Sequence, residues 1–361
     1  MLVSGLKGTQ ENVTEKVRGL ADTLRELLAE PMFLDGHRFQ VTPSIGITLI
    51  PDHGATPADL LKRADIALYR AKDSGRNATQ MFHSAMQKTA SERLRLENDL
   101  RLALSRGEFS LRYQPQVDNR GNRIVGAEAL LRWQHPSLGN LAPGEFIQVM
   151  EERGMVLEIG NWILEDACKT GSELVAKGLI DSRDCSLCVN ISPRQFRQAD
   201  FVERVERCLR THGLPNHVLK LEITEGIVIK NLEETITKMV ALKQLGISFA
   251  MDDFGTGYSS LTYLKRLPVS ALKINQSFVR DATTDPNDAE IVRAIIAMAA
   301  SLNLSIIAEG VETQEQLDFL AQLGCHLYQG FLFSEALSVE RFEALLRGQG
   351  ADGSSTSLTG A

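Results

Sequence analysis

Long apolar runs are missing from this sequence: no stretch of eighteen or more apolar residues occurs, which leaves no candidate for an ordinary membrane-spanning helix. The opening MLVSGLKGTQ carries neither a basic patch nor an apolar core long enough for a secretory signal. A soluble, cytoplasmic protein with no membrane partner is the expectation. Cysteine is scarce and odd in number. Cys168, Cys185, Cys188, Cys208 and Cys325 are scattered, which argues against a disulfide framework and fits a reducing compartment. Cys185 and Cys188 form a CxxC, but they lie in CSLCVNIS, which reads as a buried strand, so both are expected as small core residues. Concentrated positive charge is absent too. The net charge is −7 and no basic cluster is denser than a helix face, so the electrostatic footprint of a protein that binds DNA or an anionic membrane is lacking. Any anionic ligand must be held by local groups or metals.

What is present is length and core. The chain has 361 residues, 43% of them hydrophobic, which suits two domains. Residues 1–82 hold a helical stretch near 10–30, an alternating strand HRFQVTPSIGITLI, and a helix ADLLKRADIALYRAK closed by the turn DSGRN. Residues 83–105 are charge-rich with Leu at helical spacing and predict a linker helix. From 106 to 348 strands and helices alternate, with β-rich runs near 109–117, 123–131, 185–191, 218–224, 246–252, 270–275, 304–309 and 325–331. That pattern predicts an α/β fold, a TIM-like (β/α)8 barrel. Only DNRGNR separates the first two strands, too short for a parallel crossover, so that pair is expected to be antiparallel. Residues 349–361, small and polar, read as a disordered tail.

Strand parity then locates chemistry. Side chains alternate across a strand, so one parity faces the lumen. Leu219, Leu221 and Ile223 leave Lys220 and Glu222 on the other side; Ile247, Phe249 and Met251 leave Ser248, Ala250 and Asp252; Leu272 and Ile274 leave Lys273 and Asn275. Glu128, Asn190 and Glu309 fall at strand ends by the same counting. Polar groups thus gather at the C-terminal ends of the strands, the active face of barrel enzymes. Converging buried carboxylates repel unless protons or cations neutralise them, and an oxygen-rich set without a nearby His or Cys group favours Mg²⁺ or Mn²⁺. Asp252 and Asp253, being adjacent, both reach a metal only if the strand stops there. Gly255 and Gly257 are expected to allow the turn, with Ser259 or Ser260 capping the next helix. Two metals about 4 Å apart, sharing a carboxylate, suit in-line attack on a phosphate ester, with Lys273 offsetting the developing charge.

The motifs now on the page, E-A-L-L-R at 128–132, N-I-S at 190–192, E-I-T-E at 222–225, D-D-F-G-T-G-Y-S-S-L at 252–261, L-K-I-N at 272–275, A-E-G-V-E-T at 308–313 and Q-G-F at 329–331, resemble the EAL phosphodiesterases in order and spacing. The resemblance implies hydrolysis of cyclic di-GMP to linear pGpG with two Mg²⁺ or Mn²⁺ ions, and a homodimer through the barrel. It implies Glu128, Asn190, Glu222 and Asp252 as ligands of one metal and Asp253 at the other. Glu309 and Lys273 would orient catalytic waters; Arg132 and Gln329 would contact substrate, with Gln116 a weaker substrate candidate for which a plain lumen role is equally open. Glu225 would clamp the loop after Asp253, which in the family couples the site to dimer contacts. The chain departs from the family pattern at Asn275, usually Asp; an amide offers an oxygen without charge, which is expected to weaken turnover more than binding. Residues 1–82 resemble the C-terminal half of a GGDEF diguanylate cyclase domain, chiefly in SIGITLIPDHG and ADIALYRAKDSGRN. The GGDEF signature itself does not occur, so cyclase activity is expected to be absent.

Overall fold

The computed structural model describes residues 1–34, 37–54, 56–180, 185–227, 231–255 and 261–351. The chain divides into two compact units, Met1–Asp99 and Leu100–Ala361. The first contains α1 (Gln10–Leu28), β1 (Met32–Leu34), β2 (His37–Phe39), β3 (Ile45–Ile47), α2 (Pro57–Asp73) and β4 (Thr79–Met81), and α3 (Ser84–Ala103) follows. The expected long strand over 37–50 is two short ones: β2 pairs with β1, and β3 pairs in parallel with β4. Pro43 lies between them, where a ladder needs a donor that proline lacks. Thr9 and Thr56 start α1 and α2 by accepting from Asn12 N and Asp59 N, the sequence-readable N-cap. Ala21, Ile47, Leu49 and Met81 form the small core of this unit, with Val13, Val17 and Ile45 packed against it.

The second unit is an eight-stranded closed barrel with helices around it. Its elements run β5 (Phe109–Asp118), β6 (Arg123–His135), β7 (Gly139–Leu141), α4 (Pro143–Glu152), α5 (Val156–Ala176), β8 (Ser186–Ile191), α6 (Pro193–Phe196), α7 (Phe201–His212) and β9 (Leu219–Thr224). They continue with α8 (Leu232–Gln244), β10 (Ser248–Phe254), α9 (Leu261–Leu264), β11 (Ala271–Ile274), α10 (Gln276–Asp281), α11 (Pro286–Ser301), β12 (Ser305–Glu309), α12 (Gln314–Gln322), β13 (Leu327–Gln329) and α13 (Val339–Ala351). The ring order is β5-β13-β12-β11-β10-β9-β8-β6, closed by β5–β6, with β7 hairpinned onto β6. β5 is antiparallel to both neighbours and every other barrel pair is parallel. The short β5–β6 turn, with Asn122 in the left-handed region at φ 46°, imposes that reversal.

The C-terminal boundary differs from expectation. Helix α13 runs to Ala351, so residues 349–351 are helical, and Gln349 is anchored: its amide donates to Asn122 O and its Oε1 accepts from Ile124 N. The rest of the expected tail, 352–361, lies outside the described residues, as do Gly257, Ser259 and Ser260.

Candidate active site

The barrel strands bring one lysine into the midst of four carboxylates. Lys273, on β11, is fully buried, and its Nζ lies 2.6 Å from Glu222, 2.6 Å from Glu309, 3.1 Å from Glu128 and 3.4 Å from Asp252. These acids come from β6, β9, β10 and β12. Burial alone would push the lysine toward neutrality, but the surrounding carboxylates outweigh it and hold its ammonium well above the usual range. One cation does not balance them. Burial raises the Glu222 carboxyl to about 7, with Lys273 opposing and Glu128 and Asp252 reinforcing the rise. Burial likewise raises Glu309 to about 8 against Lys273, helped by Asp252 and Glu128, and burial raises Asp252 against Lys273, helped by Glu128 and Asp253. Glu128 goes the other way: its burial is overcome by Lys273 and by hydrogen bonds donated from Gln329, Lys273 and Asn190.

Asp253 joins this cluster by a local distortion. Parity would turn it away from Asp252, but its φ of 54° is left-handed, and the β10–β11 register shifts between Met251 and Phe254. The strand therefore bends at Asp253 and does not stop before it; pairing resumes at Phe254. Such backbone costs on the order of 1–3 kcal/mol and persists where the surroundings over-determine it. Here Asp253 N donates to Asp252 Oδ1 at 2.8 Å, and Asn275 Nδ2 donates to Asp253 Oδ1 at 2.5 Å. Asn275 also caps α10, its Oδ1 accepting from Ser277 N at 2.8 Å. Glu225 Oε1 accepts from Gly255 N at 3.1 Å, tying the residue after β10 to the end of β9.

Two groups of ligand oxygens result: Glu128, Glu222 and Asp252, and Asp252, Asp253 and Glu309, each lying within 4.8 Å. They share Asp252. An oxygen-only set with excess negative charge, buried in the first group and more open in the second, could hold a hard divalent cation. Asn190 Nδ2 donates to Glu128 Oε1 at 2.5 Å, which places its amide beside the first group. Glu309, read from sequence as an orienter of water, contributes an oxygen to the second group.

The glutamines sort by depth. Gln116 is 1% exposed; its amide donates to Gln329 Oε1 at 3.1 Å and lies 3.5 Å from Glu222 Oε1, while its own Oε1 accepts from Cys188 Sγ at 3.5 Å. It lies in the lumen beneath the carboxylates, bonded to the side chains around it. Gln329 donates to Glu128 Oε2 at 2.7 Å and to Gln114 Oε1 at 3.1 Å. A side chain at Gly330 would stand 2.1 Å from Val311 O, so a glycine must follow Gln329 at this close approach. Arg132 is half-buried near the mouth, and its Nη1 donates to Leu131 O at 2.9 Å. Sequence reasoning missed Gln114, which pairs directly with Glu128 across β5–β6, and Arg112, two residues nearer the mouth. Parity on β5 could have found both, since each shares the lumen parity of Gln116.

Residues 97–336 match the EAL domain family. The chain belongs to the EAL family. Residues 2–78 match the family described as diguanylate cyclase, GGDEF domain, as a short fragment preceding the EAL barrel. Over 326 residues the chain is 41% identical to the Pseudomonas aeruginosa bifunctional diguanylate cyclase/cyclic di-GMP phosphodiesterase MucR, covering 90% of this chain and 47% of that protein. It is 40% identical over 328 residues to the cyclic di-GMP phosphodiesterase NbdA of the same organism, covering 91% and 42%. The chain thus spans less than half the length of these relatives. A solved structure described as PaMucR phosphodiesterase, c-di-GMP complex, aligns with a TM-score of 0.66 at 42% identity over 69% of this chain and 99% of that one. The EAL enzyme Bd1971 in a cAMP- and cyclic-di-GMP-bound form aligns with a TM-score of 0.69 at 34% identity, covering 82% and 77%. No helix among the described residues is long and apolar enough to cross a membrane.

Proposed function

We propose that this EAL barrel is a metal-dependent phosphodiesterase that hydrolyses cyclic di-GMP to linear pGpG. The observation that carries the reading is the pair of acidic groups sharing Asp252 around Lys273 at the barrel mouth; the substrate comes from the relatives, whose names and titles specify cyclic di-GMP. Glu128, Asn190, Glu222 and Asp252 would hold one ion and Asp253, with Asp252 and Glu309, a second, Mg²⁺ or Mn²⁺ suiting the oxygen donors. Bound there, the ions would polarise the scissile phosphate and activate a water. Lys273 then places a fixed ammonium where negative charge develops on the phosphate oxygens, in a buried setting that strengthens the effect. Glu309, whose carboxyl is raised by burial to about 8 in the metal-free protein, would as an ion-bound carboxylate orient the attacking water. Arg132 and Gln329 position the nucleotide, Gln116 supports Gln329 from below, and Glu225 positions the Gly255 turn and with it Asp253.

The direct test is a chromatographic assay of purified protein with cyclic di-GMP and either metal, which should yield pGpG. Sustained nucleotide binding without product would overturn catalysis. That result has its own reading: Asn275 pins Asp253 with a neutral amide where the family has a carboxylate, leaving a cyclic di-GMP receptor. Under it, Asn275→Asp restores turnover, and an unmodified protein that turns over rapidly ends it.

A further inference from the structure

The β5–β6 hairpin continues past the carboxylates toward the mouth as a surface with two cations. Its register pairs Gln114 with Glu128, Arg112 with Leu130 and Ser110 with Arg132. Paired residues in an antiparallel ladder share a face, so Arg112 and Arg132 are diagonal neighbours on the Glu128 face, with Leu130 beside them; such neighbours stand roughly 7–8 Å apart. Their exposure fits that placement, since Arg112, Leu130 and Arg132 are all partly buried. Among the described residues neither guanidinium has a carboxylate within 4.0 Å. Arg132 uses one N–H on Leu131 O. Exposed Glu340 is held below the usual carboxylate range chiefly by a hydrogen bond from Ser338, with Arg112 a smaller influence. Arg132 is made easier to deprotonate by burial and next by the charge of Arg112, with Glu128 opposing. Two half-buried like charges without a counter-ion are unfavourable in the empty protein, and an anion between them removes that penalty.

We propose that Arg112 is a further substrate-positioning residue, forming with Arg132 a two-guanidinium clamp on the phosphodiester of the cyclic dinucleotide that is not being cleaved. This rests on the function proposed above. The division of labour follows from charge: the carboxylate cluster takes an anion only through divalent cations, whereas the arginine pair, about two residues or ~7 Å further along β5, takes one directly. A ligand with two phosphates engages both, and a ligand with one phosphate loses the clamp.

The test uses cyclic di-GMP and an analogue in which one of its two phosphodiesters is a neutral methylphosphonate, each assayed with the same divalent metal. In the unmodified protein the analogue's KM should rise about tenfold while kcat stays within about twofold, because the cleaved linkage is unchanged. Arg112→Gln should raise KM for cyclic di-GMP about threefold and narrow the difference between the two ligands to about threefold, the remainder being Arg132's. Arg112→Lys, which keeps the charge and loses the fork, should fall between them. A merely structural Arg112 would not alter the discrimination between charged and neutral linkage, and an unchanged urea midpoint shows that the variants fold. If Arg112→Gln discriminates as strongly as the unmodified protein, the clamp is wrong while the phosphodiesterase reading stands. If binding occurs without turnover, Kd replaces KM with the same pattern expected. If the unmodified protein binds neither ligand, the proposed function fails and the clamp with it.

Discussion

Two clusters of the barrel lumen are built by the same strands and the same side-chain parity, and they could hardly differ more. The lower one is Ala250, Ala271 and Ile307, closed by Leu327. The upper one holds Asp252, Lys273, Glu309 and Gln329, each two residues further along β10, β11, β12 and β13. Two residues of strand amount to about 7 Å. Over that distance the lumen passes from packed hydrocarbon to a knot of charge, and the contrast explains both. The dry lower cluster denies water to the acids above it from beneath, so they have to be neutralised by Lys273, by protons or by metal. The upper one tolerates its charge because Lys273 lies among its acids and its upper side faces the mouth.

Removing a ligand from the upper cluster should have the largest effect on function. Glu128→Ala belongs to the first ligand group and should lower turnover roughly a hundredfold or more, beyond what outer-sphere changes cost; metal titration should show the loss of one ion. Lys273→Met removes the single ammonium from the upper cluster. In chelator, unfolding free energy should drop by about 3–5 kcal/mol, because an unpaired buried charge set remains, and saturating metal should recover part of it. A metal-free variant as stable as the parent would break the comparison. Ile307→Ala strikes the lower cluster and should cost about 2–5 kcal/mol in urea titration while leaving metal stoichiometry intact. Gln116→Ala, at the seam between the two, should cost about 1–3 kcal/mol by leaving groups on Gln329 and Glu222 unpaired.

The smallest effect is on pH dependence, and its sign is definite. The folded, metal-free protein holds protons on Glu222 and Glu309 up to about 7 and about 8, whereas the unfolded chain releases them near the ordinary glutamate range. Metal-free stability therefore falls as pH rises between those limits, while Lys273, raised rather than lowered, contributes steadily throughout that window. Calorimetry in chelator should give a lower Tm at pH 8.5 than at pH 6. Apparent metal affinity should run the other way, rising with pH and levelling above about 8, because bound ions displace those protons.

Much of this was readable without coordinates. Alternation is local, so parity alone placed Glu222, Asp252 and Lys273 on the lumen side and Leu219, Leu221 and Ile223 on the other, and the six-residue turn alone predicted the antiparallel β5–β6 pair. Motif order carried the family. Parity fails where the backbone stops alternating. Asp253 reaches the cluster through a left-handed residue inside the strand, and nothing in D-D-F-G marks which of its residues will bend. Depth is equally invisible: Gln114 and Gln116 share a parity, and only the closure of the ring sets one beside Glu128 near the mouth and the other beneath it. Which side of the strand a residue occupies is decided by its immediate neighbours. How far down the barrel it lies, and which charges from the other strands it meets there, is decided by register, and register exists only once the sheet has closed.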